Sequence, residues 1–186
     1  MSSTATIDPT ITMRELLEQF PGAQRALFRK YHIGGCSSCG FSPDETLAAV
    51  CARNDNLKVE EVVEHIVTSD TADRAMQMEP RELADRIGRG EKVYLLDVRT
   101  REEHEAVKID QAQLFTQELM PEILSKWPRK NLLVVYDHQG TRSLDAAAYF
   151  QGQGFENVKS LRGGIDAWSA EVDPKLPRYH LEEANR

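Results

Sequence analysis

The chain has 186 residues, 40% of them hydrophobic and 28% charged, which suits a small domain joined to a modest one and excludes a disordered polypeptide. A formal charge of −7, from 23 basic and 30 acidic residues, argues against a nucleic-acid backbone as partner. No apolar run approaches the length of a membrane span, so no membrane association is expected.

The start of the chain lacks a basic stretch followed by an apolar one, and Asp8-Pro9 interrupts it. A signal peptide is therefore not expected, and the cytoplasm is the default location. In that reducing compartment three cysteines do not form a structural disulfide framework. An odd count, with two of them spaced as Cys36-x-x-Cys39, points instead to redox, metal or sulfur chemistry.

Residues 1–11 are expected to be a flexible N-terminus, and residues 12–68 a small helical domain. Thr12-x-x-Glu15 is a capping-box pattern followed by Leu16, Leu17 and Phe20 at helical spacing. After Pro21-Gly22, a second helix should bring Ala23, Leu27, Phe28 and Tyr31 to one face. The turn Ile33-Gly34-Gly35-Cys36-Ser37-Ser38-Cys39-Gly40 comes next. Ser42-Pro43-Asp44-Glu45 then has the composition of a helix start with Ser42 as N-cap, and a helix dipole there would lower the pKa of a nearby thiol. Leu47, Val50 and Cys51 share a face, which reads Cys51 as core. A last helix carries Val59, Val62, Val63 and Ile66 at i, i+3, i+4 and i+7.

Residues 69–75 are polar and without period, and are expected to be a linker. Residues 76–179 then alternate helix and strand. Helices are predicted from Glu79-Pro80, from Thr100, at Glu118–Trp127, Leu144–Gln153 and Ile165–Val172. Strands are predicted at Val93–Val98, Ala112–Phe115, Leu132–Tyr136 and Val158–Leu161. Such alternation implies an α/β domain with a mostly parallel sheet covered on both faces, and ligands bind such sheets at the carboxyl ends of the strands. Residues 180–186 read as a C-terminal tail.

That rule singles out the loop Asp137-His138-Gln139-Gly140-Thr141-Arg142, between the most apolar strand and a helix. A tight strand-to-helix loop with glycine and free helix amides forms an anion-binding nest. Together with Tyr136 and Ser143, the loop resembles the active loop of the rhodaneses, Cys-x-x-Gly-x-Arg, with Gly140 and Arg142 matching and Asp137 in place of the cysteine. Asp97-Val98-Arg99, Gly154-Phe155 and Arg162-Gly163-Gly164-Ile165-Asp166-Ala167-Trp168 resemble further motifs of that family, in the same order. Where the family often has Gly-His-Ile-Pro-Gly-Ala, this chain reads Val107-Lys108-Ile109-Asp110-Gln111-Ala112.

The resemblance implies a rhodanese-like fold over residues 76–179. It also implies kinship with thiosulfate sulfurtransferases, which carry sulfane sulfur as a persulfide on the loop cysteine. A carboxylate is not a soft nucleophile, and its charge repels thiosulfate, so Asp137 is predicted not to carry persulfide. Asp137 is expected to accept hydrogen bonds from its own loop, beside Arg142, and His138 to be solvent-exposed.

The helical block, with its Gly-Cys-x-x-Cys-Gly turn, is similar to a small domain of uncertain function found in proteins linked to iron–sulfur repair and sulfur chemistry. Three readings of Cys36 and Cys39 stay open. They are a redox or sulfur-relay dithiol, half of a metal or iron–sulfur site completed by Cys51, His32 or a second subunit, or an inert reduced pair. No other cofactor is called for. The functional expectation is a sulfur or redox accessory protein with Cys36 and Cys39 as working thiols, a protein partner and a persulfide or related sulfur donor. The alternative is a non-catalytic recognition or regulatory module.

Overall fold

A computed structural model describes residues 7–34 and 40–179. Cys36, Cys39 and the tail 180–186 lie outside the described residues. The chain divides into two compact units, Met1–Ala75 and Met76–Arg186.

The first unit contains α1 (Met13–Gln19), α2 (Ala23–Tyr31), α3 (Leu47–Arg53) and α4 (Val59–Met76). Thr12 caps α1 through a capping box: its hydroxyl accepts from the Glu15 amide, and the Glu15 carboxylate accepts from the Thr12 amide at 3.0 Å. The next free amides of α1 are satisfied from a distance. Met13 and Arg14 donate to the carbonyls of Glu45 and Pro43 at 2.8 and 2.9 Å, while Leu47 and Ala48 of α3 donate to Ile11 and Pro9 at 3.0 Å. Two helix starts thus supply each other's missing acceptors.

This exchange corrects the expected helix start. The carbonyls of Pro43 and Glu45 are committed to α1, so residues 42–45 form a turn, and α3 begins at Leu47 with Thr46 as its cap. The helix N-terminus expected at Ser42 therefore lies at Leu47, and no helix dipole begins at Ser42 to lower the pKa of a thiol beside it. The buried face of α2 is Ala23, Ala26 and Leu27. Phe28, one position past Leu27, is turned away from it and is 47% exposed. Met13, Leu16, Leu27, Ile33, Leu47, Val50, Cys51, Val62 and Ile66 form the core. Residues 69–75, expected as a linker, are helical and continue α4, with Arg74 paired to Asp70 one turn back.

The second unit is a five-stranded sheet with helices on both faces: β1 (Gln77–Met78), α5 (Pro80–Gly88), β2 (Val93–Asp97), α6 (Arg101–Ala106), β3 (Gln113–Leu114), α7 (Leu119–Lys126), β4 (Leu132–Tyr136), α8 (Arg142–Gly152), β5 (Val158–Leu161) and α9 (Gly164–Glu171). The strands run in the order β1-β5-β4-β2-β3, and every pairing is parallel. The fold class read from the sequence is therefore the one found; β1, only two residues long, carries no period and was not expected. β4 divides its side chains by the two-residue period of a strand. Leu132, Val134 and Tyr136 pack with Leu83 of α5 and with Ile165 and Trp168 of α9, while Leu133 and Val135 pack with Ile123 of α7 and Phe150 of α8. Among the described residues, no helix is long and apolar enough to cross a membrane.

Candidate functional site

The loop from Asp137 to Arg142 leaves the C-terminal end of the central strand β4 and turns into α8. Gly140 makes the turn at φ +82°, where a Cβ would press on the Leu161 carbonyl and the Gly163 amide. Gly164, at φ +58°, lets the start of α9 approach so closely that a Cβ would collide with the carbonyls of Asp137 and His138. Those two carbonyls accept from the amides of Ile165 and Asp166 at 3.0 and 3.1 Å, which ties the loop to α9.

The Asp137 side chain fills the concavity. One carboxylate oxygen accepts from the Gly140 amide at 2.6 Å and the Ser143 hydroxyl at 3.0 Å. The other accepts from the Arg142 amide at 2.9 Å and, at 3.5 Å, the Thr141 hydroxyl. Arg142 Nε stands 3.8 Å from the same oxygen, and the rest of that side chain is exposed. Asp137 itself is only 1% exposed. Behind it the Ser143 and Ser160 hydroxyls share a hydrogen bond of 2.8 Å. A carboxylate with this many donors needs no external counter-charge, and an incoming anion would find both the amides and the space taken.

His138 is not solvent-exposed as expected. It is 4% exposed, and its Nδ1 is buried without a hydrogen-bond partner. The Tyr179 ring covers it, with centroids 4.4 Å apart. Gln139 and Thr141 are exposed at the rim. The six loop residues singled out from the sequence are thus brought together.

Below the loop, Asp97 at the end of β2 accepts from Arg99 through both oxygens, at 2.9 and 2.6 Å, and lies 2.8 Å from His104 Nδ1. Burial works against charge on Asp97, but the Arg99 and His104 hydrogen bonds outweigh it and hold the carboxyl below its ordinary range. Arg99 also donates to the Tyr179 hydroxyl at 2.7 Å, and Tyr179 donates to Glu103 at 2.7 Å. Burial and the Glu103 hydrogen bond push the Tyr179 phenol up to about 12, against the opposing pull of Arg99. Burial, with the Asp97 charge beside it, pushes the Tyr136 phenol well above its ordinary value. Tyr179, Ser143 and Ser160 were not anticipated from the sequence. Ser143 directly follows the loop motif, but no pattern marks Tyr179.

Of the three cysteines only Cys51, expected in the core, is described; the candidate thiols Cys36 and Cys39 are not. Cys51 is fully buried in the first unit, and burial, with the nearby Glu60 charge, pushes its thiol pKa up. His32, considered as a metal ligand, is exposed at the C-cap of α2. Among the described residues, no three His, Cys, Asp or Glu side chains are placed to hold a metal.

A five-stranded parallel sheet with helices on both faces and a strand-to-helix loop at the carboxyl end of its central strand places the second unit among the α/β domains. Within that class the family is shown: the profile of the rhodanese-like domain matches residues 79–171, and the chain belongs to the rhodanese-like family. It is 36% identical over 131 residues to the probable adenylyltransferase/sulfurtransferase MoeZ of Mycobacterium tuberculosis, a match covering 66% of this chain and 33% of that protein. The chain thus spans about a third of that relative. It is also 36% identical over 93 residues to a sulfurtransferase of Allochromatium vinosum, covering 50% of this chain and 87% of the relative. The crystal structure of reduced Bacillus anthracis CoADR-RHD aligns with a TM-score of 0.51 at 18% identity, covering 73% of this chain and 22% of that one; this likeness concerns the fold alone.

Proposed function

We propose that this chain is a cytoplasmic sulfur or redox accessory protein whose rhodanese-like loop does not transfer sulfur, and whose working thiols are Cys36 and Cys39. The observation that carries the first half is the Asp137 carboxylate, buried and bonded to the Gly140 and Arg142 amides and the Ser143 hydroxyl. In this reading Asp137 holds the position of the family's loop cysteine, since Gly140 and Arg142 match Cys-x-x-Gly-x-Arg. Transfer from thiosulfate requires a thiolate to attack the outer sulfur, so that the S–S bond breaks and sulfite leaves. A carboxylate already saturated with donors is too hard a nucleophile for that attack. Its charge also lies where the thiosulfate dianion would have to sit.

The second half rests on elimination among three cysteines. Cys51 is buried with its pKa raised, which favours an inert thiol. On either side of residues 35–39, Gln24 donates to the Gly34 carbonyl at 3.0 Å and Arg53 to the Gly40 carbonyl at 2.6 Å. The rhodanese-like domain then serves to dock a protein partner or a sulfur donor.

The test is peptide-mapped mass spectrometry of anaerobic protein after exposure to polysulfide. The proposal expects a persulfide or a Cys36–Cys39 disulfide, with Cys51 unmodified. Unmodified Cys36 and Cys39 would leave the domain as a recognition module, the reading favoured by the internally satisfied loop. A bound metal released on denaturation would move the pair to the metal or iron–sulfur alternative.

A further inference from the structure

The loop is closed a second time, by a part of the chain that belongs to no family motif. After α9 the segment Asp173–Tyr179 returns to the rhodanese-like unit and is fastened at three points. Leu176 packs against the core beside α9. Arg178 makes a two-pronged ion pair with Asp166 at 2.7 and 2.8 Å. Tyr179 sets its hydroxyl between Arg99 and Glu103 and its ring over His138. Asp166 links two of these fastenings, because its amide donates to the His138 carbonyl. The ring therefore rests on the second residue of the loop, whose imidazole Nδ1 is buried without a hydrogen-bond partner. A buried polar nitrogen without a partner is costly, and it marks a place where a closed arrangement is held by something other than local satisfaction.

We infer that Asp173–Tyr179 is an intramolecular latch over the loop, with Tyr179 as its bolt. Release of the latch uncovers His138 and removes the Tyr179 hydroxyl from between Arg99, which stays paired with Asp97, and Glu103, which stays bonded to the Thr100 amide. Leu176 and Tyr179 are only partly buried and the Arg178 pair lies at the surface, so the segment can lift from the sheet without unfolding it. A partner group that takes the place of the Tyr179 hydroxyl between Arg99 and Glu103 would displace the ring from His138. Docking at the loop is thereby coupled to release of the C-terminal segment. The inference goes beyond the reading of Cys36 and Cys39 as working thiols and does not depend on it.

The test is the rate at which diethyl pyrocarbonate modifies each histidine of the full-length chain, mapped by peptide mass spectrometry, with exposed His32 as internal reference. In the wild type, His138 should react at least about tenfold more slowly than His32, because reaction waits on local opening. Tyr179→Ala should raise the His138 rate about tenfold and leave His32 unchanged. Tyr179→Phe, which keeps the ring and loses both hydroxyl bonds, should fall between. Arg178→Ala removes only the surface pair with Asp166, so it tests the latch without touching the core; it should raise the rate by about two- to threefold. A His138 as reactive as His32 in the wild type would overturn the latch. So would a His138 rate unchanged in both Tyr179→Ala and Arg178→Ala.

Discussion

Replacing Asp137 by alanine removes the acceptor on which the loop is built. The Gly140 amide and the Ser143 hydroxyl lose their bonds to one oxygen, and the Arg142 amide its bond to the other. Loss of the acceptor for the Arg142 amide, the first of α8, costs about 1 kcal/mol, the scale of a helix-capping bond. The buried Gly140 amide left without a partner adds about 2 kcal/mol, while Ser143 keeps its bond to Ser160. The expected destabilisation is about 3 kcal/mol. Both tryptophans, Trp127 and Trp168, lie in the cores of the second unit, so their fluorescence reads urea unfolding of that unit alone. With a slope of about 1.5 kcal/mol/M the midpoint should fall by about 2 M. The vacated amides would also accept an external anion. Sulfate at about five times its dissociation constant should return about 1 kcal/mol to the variant, in excess of its general salting effect on the wild type. A loss below about 1 kcal/mol, or an equal response of both proteins to sulfate, would refute the view that Asp137 is the loop's internal anion.

The buried Asp97–Arg99 pair is fully enclosed, so Arg99→Ala should cost about 3–5 kcal/mol in the same assay. It should also change the acid limb of stability. Because the folded Asp97 carboxyl titrates below its ordinary value of 3.8, its contribution is present above that value and is lost as pH falls through the folded one. The wild type should therefore lose stability below about pH 4, with a shallower loss in Arg99→Ala. Gly164→Ala combines a left-handed backbone with a collision against two loop carbonyls; the melting temperature of the second unit should drop by an amount matching at least about 3 kcal/mol, and an unchanged melt would contradict the close approach of α9. In the first unit, Cys51 should resist a thiol-disulfide dye in native protein and react only on unfolding, since it is fully buried with a raised pKa. Reaction at the rate of a free thiol would show that its helix face is open.

Motifs made the second unit legible before its structure. The alternation of β4, the capping residues of α6 and the glycines that admit α9 are local features whose physics is written in a few adjacent residues. Asp97, Arg99 and the six loop residues followed from the same motifs. The position of Tyr179 did not, because its role depends on where residues 173–179 fold back, and nothing in their composition fixes that path. The start of α3 was misread for a related reason. Ser42-Pro43-Asp44-Glu45 has the composition of a helix start, but its carbonyls are claimed by the amides of Met13 and Arg14, a pairing visible only in three dimensions. Residues 69–75 have too weak a period to be read as helix, yet they continue α4.

Whether the loop transfers sulfur is decided by thiosulfate–cyanide sulfurtransferase activity, measured side by side on the wild type, the Cys36→Ser/Cys39→Ser variant and Asp137→Cys. The wild type should show no loop-dependent turnover, and a persulfide should appear at position 137 once the carboxylate is exchanged for a thiol in an intact nest. Steady turnover by the wild type that survives the loss of Cys36 and Cys39 would contradict an inactive loop.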